Sequence, residues 1–207
     1  MDNNKFVIPT YNKIADAYTK QYFNDLTDIP YVDKFLQTLP EGVKLLDIGC
    51  GPGTFTKHLK QKGFEVEGVD LSEEMIKIAK EKVPGVSFSL MDMRKLDYPD
   101  NSFDGLLVAY SLIHISSEEI PSTLEGFNRI LKLNGSIMII AQGGKPDQIV
   151  DEPLKAGEKV FINFFTKERL SDFLKQAGFD IDYQEELPMQ DADSLSDKVI
   201  YTIAKKG

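Results

Sequence analysis

Residues 45–53 read Leu45-Leu46-Asp47-Ile48-Gly49-Cys50-Gly51-Pro52-Gly53. An apolar run closes on an acid and then empties into three alternating glycines. A second apolar run ends at Asp70. A buried strand that opens into a glycine-rich turn is how an open parallel sheet makes room for a nucleoside at its carboxyl edge. Without a Cβ, glycine reaches left-handed dihedrals and lets a ligand approach the backbone. A carboxylate at the tip of the next strand accepts hydrogen bonds from both ribose hydroxyls. The stretch therefore implies an adenosine-type ligand on an α/β sheet.

Outward from this stretch, strand and helix patterns alternate along the chain, as an α/β fold requires. Tyr11, Ile14, Ala15, Tyr18 and Tyr22 share one face of a helix over residues 9–23, and a short helix over 33–39 stops at Pro40. Strands are expected at 43–48, 65–70, 86–90, 103–109 and 136–141, the fourth continuously apolar as in the centre of a parallel sheet. Helices are expected at 54–62, closed by Gly63, at 73–82 behind a Ser72 cap, at 118–131, and at 167–177, closed by Gly178. Residues 142–165 break the alternation, and two strands, 179–186 and 198–204, end the chain.

Composition narrows the function classes. The 207 residues fit one domain, and a net charge of −9 disfavours nucleic acid as substrate, because phosphate binding relies on clustered Lys and Arg. The single cysteine, Cys50, forms no internal disulfide and stands outside any metal-ligand cluster. No signal-peptide core or bilayer-length apolar run is visible, so the expected location is cytoplasmic, without membrane contact.

The glycine spacing separates cofactors. Dinucleotide sites use G-x-G-x-x-G with the pyrophosphate on a helix N-terminus. Here the spacing is G-x-G-x-G behind Asp47, and an acid there repels pyrophosphate but suits a ligand bearing an ammonium. With Asp70, this pattern resembles the class I S-adenosylmethionine-dependent methyltransferases of the small-molecule branch. The resemblance runs from about Tyr11 to Ala204. Phe103-Asp104-Gly105 stands where the family opens its fourth strand, and Leu131-Lys132-Leu133-Asn134-Gly135 stands at the turn before its fifth, with Asn134 and Ser136 replacing the usual proline and second glycine.

The resemblance implies a Rossmann-like, doubly wound seven-stranded sheet in the order 3-2-1-4-5-7-6, strand 7 antiparallel, with helices on both faces. It implies a single domain made of an N-terminal helical lid (1–40), a cofactor-binding core (41–141), a substrate-cap insertion (142–165) and a closing helix and strand pair (166–207). The cofactor is S-adenosylmethionine, leaving as S-adenosylhomocysteine. Its site falls on Asp47, Gly49, Cys50, Gly51 and Gly53 in the first motif, on Asp70, Leu71 and Met75 after the second strand, and on Asp92 and Met93 after the third. Ala109 and Tyr110 follow from the fourth strand, and Tyr11 and Tyr18 from the lid.

Each position also has a plainer role. Asp47 can be a strand end bonded to the glycine-loop amides, Asp92 a solvated loop acid, and Tyr11 and Tyr18 ordinary helix packing. His114 follows the fourth strand at the ligand edge, where an imidazole with a pKa of roughly 6.5 serves as a general base, or else caps a helix or pairs with a loop carbonyl. Phe161, Phe164 and Phe165 either roof the substrate or anchor the insertion to the core, and the acidic stretch 180–197 reads as solvated surface.

In-line methyl transfer to a small molecule is the expected function, by a monomer or homodimer. Ala109-Tyr110-Ser111-Leu112 lacks the N/D-P-P-Y/F of enzymes that methylate exocyclic base nitrogens. The alternatives are a protein or tRNA methyltransferase, a nicotinamide-dependent oxidoreductase, and a non-catalytic cofactor-binding module.

Overall fold

Strand β1 (Lys44–Ile48) pairs in parallel with β2 (Glu65–Asp70) on one side and with β4 (Phe103–Ala109) on the other. With neighbours on both edges and helices on both faces, Leu45, Leu46 and Ile48 lose all contact with solvent. The computed structural model describes residues 4–189 and 195–207. Beyond β2 lies β3 (Ser87–Leu90). Beyond β4 lie β5 (Leu131–Gly143), then β9 (Lys198–Lys206) and β8 (Phe179–Pro188), both joined antiparallel. The resulting order, β3-β2-β1-β4-β5-β9-β8, is the expected 3-2-1-4-5-7-6 once a separate hairpin, β6 (Gln148–Asp151) and β7 (Lys159–Ile162), is set aside.

One face is covered by α2 (Ile29–Leu36) and α3 (Thr54–Gln61), through Val32, Phe35 and Leu59. The other carries α5 (Ile120–Ile130) and α6 (Lys167–Gln176), through Leu124, Phe127, Leu170 and Leu174. Helix α4 (Glu73–Lys82) covers β3 with Ile76 and Ala79 against Phe88, and starts where Ser72 Oγ accepts the Met75 amide. Among the described residues no helix is long and apolar enough to cross a membrane.

The structure departs from the sequence expectations at several elements. Helix α1 runs Asn4–Tyr22, so it begins ahead of Pro9 rather than at it. A proline inside the second turn removes one backbone bond, while α1 docks on the hairpin through Thr10 Oγ1 to Lys159 O (2.8 Å) and buries Ile14 and Ala15. Helix α2 lies over Ile29–Leu36 rather than 33–39, because Pro30 falls in its first turn, where a missing N–H costs nothing. Strand β5 starts at Leu131 rather than Ser136, and Asn134, at φ 62°, lies in a register shift rather than a free turn. Residues 142–165 contain the β6–β7 hairpin, which sequence periodicity did not reveal. Residues 1–3 of the lid segment and 190–194 of the acidic stretch lie outside the described residues.

Candidate functional site

The loop after β1 is fastened to β2 before any ligand arrives. Gly49 N and Cys50 N both donate to Val69 O, at 2.8 and 3.0 Å. Gly49 has φ +72°, and a Cβ there would fall 2.2 Å from Ser111 Cβ, so the position admits only glycine. Ser111 in turn donates to Ile48 O at 2.7 Å, closing β1 against the end of β4. Gly51, at φ +53°, has no atom within 4 Å of where its Cβ would lie, leaving its face open to the cleft.

Asp70 stands at the tip of β2. Gly51 N donates to its Oδ2 and Ser72 N to its Oδ1, both at 2.8 Å. Burial raises its pKa, against a smaller lowering by these amides. Asp92 caps the short turn Met93–Lys95 by accepting Arg94 N at 2.9 Å, and it also holds the Arg94 guanidinium, whose Nη1 donates to Glu119.

Opposite the glycine loop stands α1. Tyr11 Oη lies 3.0 Å from His114 Nε2, and His114 Nδ1 lies 2.9 Å from the carbonyl of Phe161 in β7. A carbonyl only accepts, so Nδ1 carries the proton, and Nε2 accepts from the Tyr11 hydroxyl. Burial pushes the His114 pKa down to about 4, so the ring is neutral at physiological pH, not poised near 6.5. Burial raises the Tyr11 and Tyr18 phenols, whose rings meet edge to face at 5.9 Å.

Tyr110, directly after β4, takes φ +52° and donates to Asp28 Oδ1 at 3.1 Å; Tyr201 of β9 donates to the same oxygen at 2.6 Å. Burial raises the Asp28 carboxyl despite these two bonds. The α1–α2 junction is thereby fastened to the carboxyl edge of the sheet.

One cleft brings together Tyr11, Tyr18, Gly49, Gly51, Asp70, Leu71, Met75, Asp92, Met93, Ala109, Tyr110 and His114 from the sequence-derived set. It also takes in Val7, Met91, Ser111 and Ile115, which sequence reasoning missed. Val7 stands four residues before Tyr11 on the same helical face, a signal hidden by starting α1 at Pro9.

The remaining candidates lie elsewhere. Asp47 does not meet the glycine-loop amides or line the cleft. Strand alternation turns it to the α3 face with Leu45, where Thr56 Oγ1 donates to it at 2.5 Å and burial raises its pKa to about 7. Cys50 packs with Ile76, Ala79, Val83 and Phe88 under α4, and Gly53 backs onto Val83 as the N-cap of α3. Phe164 and Phe165 are core residues, which fits the anchoring role; half-buried Phe161 reaches the site through its carbonyl. No group of His, Cys, Asp and Glu suited to a metal ion occurs among the described residues.

Residues 45–135 match the family described as a methyltransferase domain. An uncharacterized methyltransferase of Alkaliphilus oremlandii is 30% identical over 164 residues, spanning 72% of this chain and 75% of that protein. Phosphoethanolamine N-methyltransferase 1 of Zea mays is 31% identical over 154 residues, 72% of this chain but 30% of that longer protein. Among solved structures, the Burkholderia thailandensis 1,6-didemethyltoxoflavin-N1-methyltransferase, with bound 1,6-didemethyltoxoflavin and S-adenosylhomocysteine, superposes with a TM-score of 0.78. That match covers 98% of this chain and 88% of the other at 20% identity, a likeness of fold.

Proposed function

Because this chain belongs to the S-adenosylmethionine-dependent methyltransferases, we propose that it methylates a small-molecule acceptor inside the cleft between its glycine loop and helix α1. The observation that carries this reading is the Asp70–Gly51 cradle. A carboxylate is fixed by two backbone amides at a strand tip, beside a glycine whose missing Cβ leaves open space. Each Asp70 oxygen keeps a lone pair for a ribose hydroxyl. Leu71, Met75 and Met93 give apolar walls for an adenine, and Asp92 offers an acceptor for its amino group while still held by Arg94. Asp47 acts from behind the loop, where its bond from Thr56 ties β1 to α3.

The cofactor supplies an electrophilic methyl on a sulfonium, so the protein's task is alignment and exclusion of water. Helix α1 does both as a lid. Tyr11 and Tyr18 cover the cleft, and the Tyr11–His114 bond latches the lid to the end of β4. His114 Nε2, its tautomer set by Phe161 O, accepts from the Tyr11 hydroxyl, and so fixes the phenol oxygen, whose lone pairs orient an acceptor hydroxyl or amine. With a pKa near 4, His114 contributes orientation more than proton removal.

A small acceptor is supported by the enclosed, aromatic character of the cleft under α1. The Zea mays and Burkholderia relatives are also named for small acceptors. Calorimetry tests the cofactor: S-adenosylhomocysteine is expected to bind at least tenfold tighter than NAD, about 1.4 kcal/mol, and equal binding refutes the reading. Radiolabelled methyl transfer into a fractionated cell extract tests the acceptor. Label is expected in the low-molecular-weight fraction, and label confined to protein or tRNA overturns the small-molecule assignment.

A further inference from the structure

The strap that leads from the cap hairpin to α6 holds one polar side chain in an otherwise apolar run. Residues 160–165 read Val160-Phe161-Ile162-Asn163-Phe164-Phe165, and Asn163 is 0% exposed. Burying a carboxamide among such neighbours is costly unless its polar atoms are used. Its donors are used. Asn163 N donates to Ile113 O at 2.6 Å, and Nδ2 donates to Ile115 O at 2.8 Å. A carbonyl only accepts, which sets Nδ2 rather than Oδ1 toward Ile115. Oδ1 meets no donor among the described residues. An apolar side chain of similar volume would avoid that unpaired acceptor, so the use of this residue lies in the carbonyls it holds.

Those two carbonyls flank His114. Residues Leu112–His114 form a single 3₁₀ turn, too short to satisfy its own closing carbonyls. Between the two anchors, His114 Nδ1 donates to Phe161 O at 2.9 Å, and Nε2 accepts from Tyr11 Oη at 3.0 Å. Residues 161–163 thus grip residues 113–115 at three points, one of them the imidazole itself. We propose that Asn163 is the positioning residue for His114. By fixing Ile113 and Ile115 it keeps Nδ1 on Phe161 O, and so keeps the Nε2 lone pair available to the Tyr11 hydroxyl that closes α1 over the cleft. The role of the cleft here rests on the methyltransferase reading above; the hydrogen bonds do not.

A neutral imidazole has one N–H and one lone pair, and the partner of one nitrogen decides the state of the other. Phe161 O selects the Nδ1–H form only while that bond stays short and straight, so a turn that drifts against the strap loses the selection. The strap itself is held elsewhere. Phe164 N donates to Asp147 Oδ1 at 3.0 Å, and Phe165 N donates to Gln142 O at 2.8 Å. The Asn163 side chain therefore serves the turn rather than the strap, and replacing it leaves the strap attached at Phe164 and Phe165.

Asn163→Leu removes the Nδ2 donor and the unpaired oxygen at similar volume. The test reads the ring nitrogens of His114 by long-range proton–nitrogen NMR in the ligand-free full chain at neutral pH, with His58→Gln assigning the other histidine. Wild type is expected to show the Nδ1–H tautomer alone, and Asn163→Leu a mixture with Nε2–H. Calorimetry with S-adenosylhomocysteine then asks whether Asn163 and Tyr11 act on one path. Asn163→Leu is expected to weaken binding about threefold or more, and the double variant with Tyr11→Phe to bind within about twofold of Tyr11→Phe alone. An unchanged tautomer in folded Asn163→Leu, or losses that multiply in the double variant, overturns the proposal. Should Asn163→Leu fail to fold, Asn163→Ala decides by the same readings. Failure of the wild-type chain to bind S-adenosylhomocysteine strikes the methyltransferase reading instead, and the tautomer comparison then decides on Asn163 by itself.

Discussion

Replacing Asp47 by asparagine is expected to stabilise the ligand-free protein increasingly as pH rises. Asp47 is 1% exposed, accepts from Thr56, and has its pKa raised from 3.8 to about 7 by burial. The folded chain therefore holds this proton more tightly than the unfolded chain. The stability tied to the protonated carboxyl is present in full below about pH 4 and is lost as pH climbs to about 7. A rise from 3.8 to about 7 corresponds to about 4 kcal/mol in all, most of which falls between pH 5 and pH 8. Asparagine keeps an acceptor for Thr56 and carries no charge. Its unpaired amide adds a penalty of about 1–3 kcal/mol that does not vary with pH. The diagnostic is therefore the slope: the stability difference, variant minus wild type, should grow by about 2–3 kcal/mol from pH 5 to pH 8. Urea unfolding followed by circular dichroism at several pH values measures it directly. A difference that stays constant over that range refutes the account of Asp47 as a buried, desolvated carboxyl.

Asp70→Ala should weaken S-adenosylhomocysteine binding at least tenfold, since each lost bond to a charged acceptor is worth about 1.5–3 kcal/mol; calorimetry measures this, and unchanged affinity removes Asp70 from the site. Gly51→Ala should lower that affinity with only about 1 kcal/mol of lost stability from its positive φ, because its Cβ meets open cleft rather than protein; thermal melts with and without ligand separate the two effects. The His114 ring should titrate near pH 4 by NMR, so any inflection of turnover near pH 6.5 must come from another group. As its pKa is depressed by burial, the folded protein should lose stability as pH falls below about 6.5; a ring midpoint near 6.5 would contradict the buried, singly protonated imidazole.

The cradle was legible in the sequence because its parts are local. Gly49, Gly51 and Asp70 sit where backbone dihedrals and strand ends decide the geometry, and strands β1, β2 and β4 follow from apolar residues clustered between turn signals. The start of α1 was less legible, because Pro9 signals a break unless its surroundings are known, and packing on a hairpin from residues 148–162 lies far along the chain.

Side-chain direction and burial depended wholly on tertiary contacts. Asp47 reads as a cofactor-facing acid, yet the pleat of β1 turns it to Thr56 on α3. The phenylalanines of the cap read equally as roof or anchor until the sheet and α6 enclose Phe164 and Phe165. The partners of His114 come from Tyr11 and Phe161, at sequence separations of 103 and 47, and with them come its tautomer and its depressed pKa. Asp28 carried no motif at all; its weight arises from bonds to tyrosines brought in from distant elements. The sequence by itself determined the succession of strands and helices and the place of the glycine cradle, because hydrophobic period and backbone dihedrals are local properties, while the order of the strands in the sheet came from the family resemblance. Which carboxylates face the cleft, and which remain buried without a counter-charge, was decided only by the tertiary structure, because desolvation and Coulomb interaction depend on distances through space.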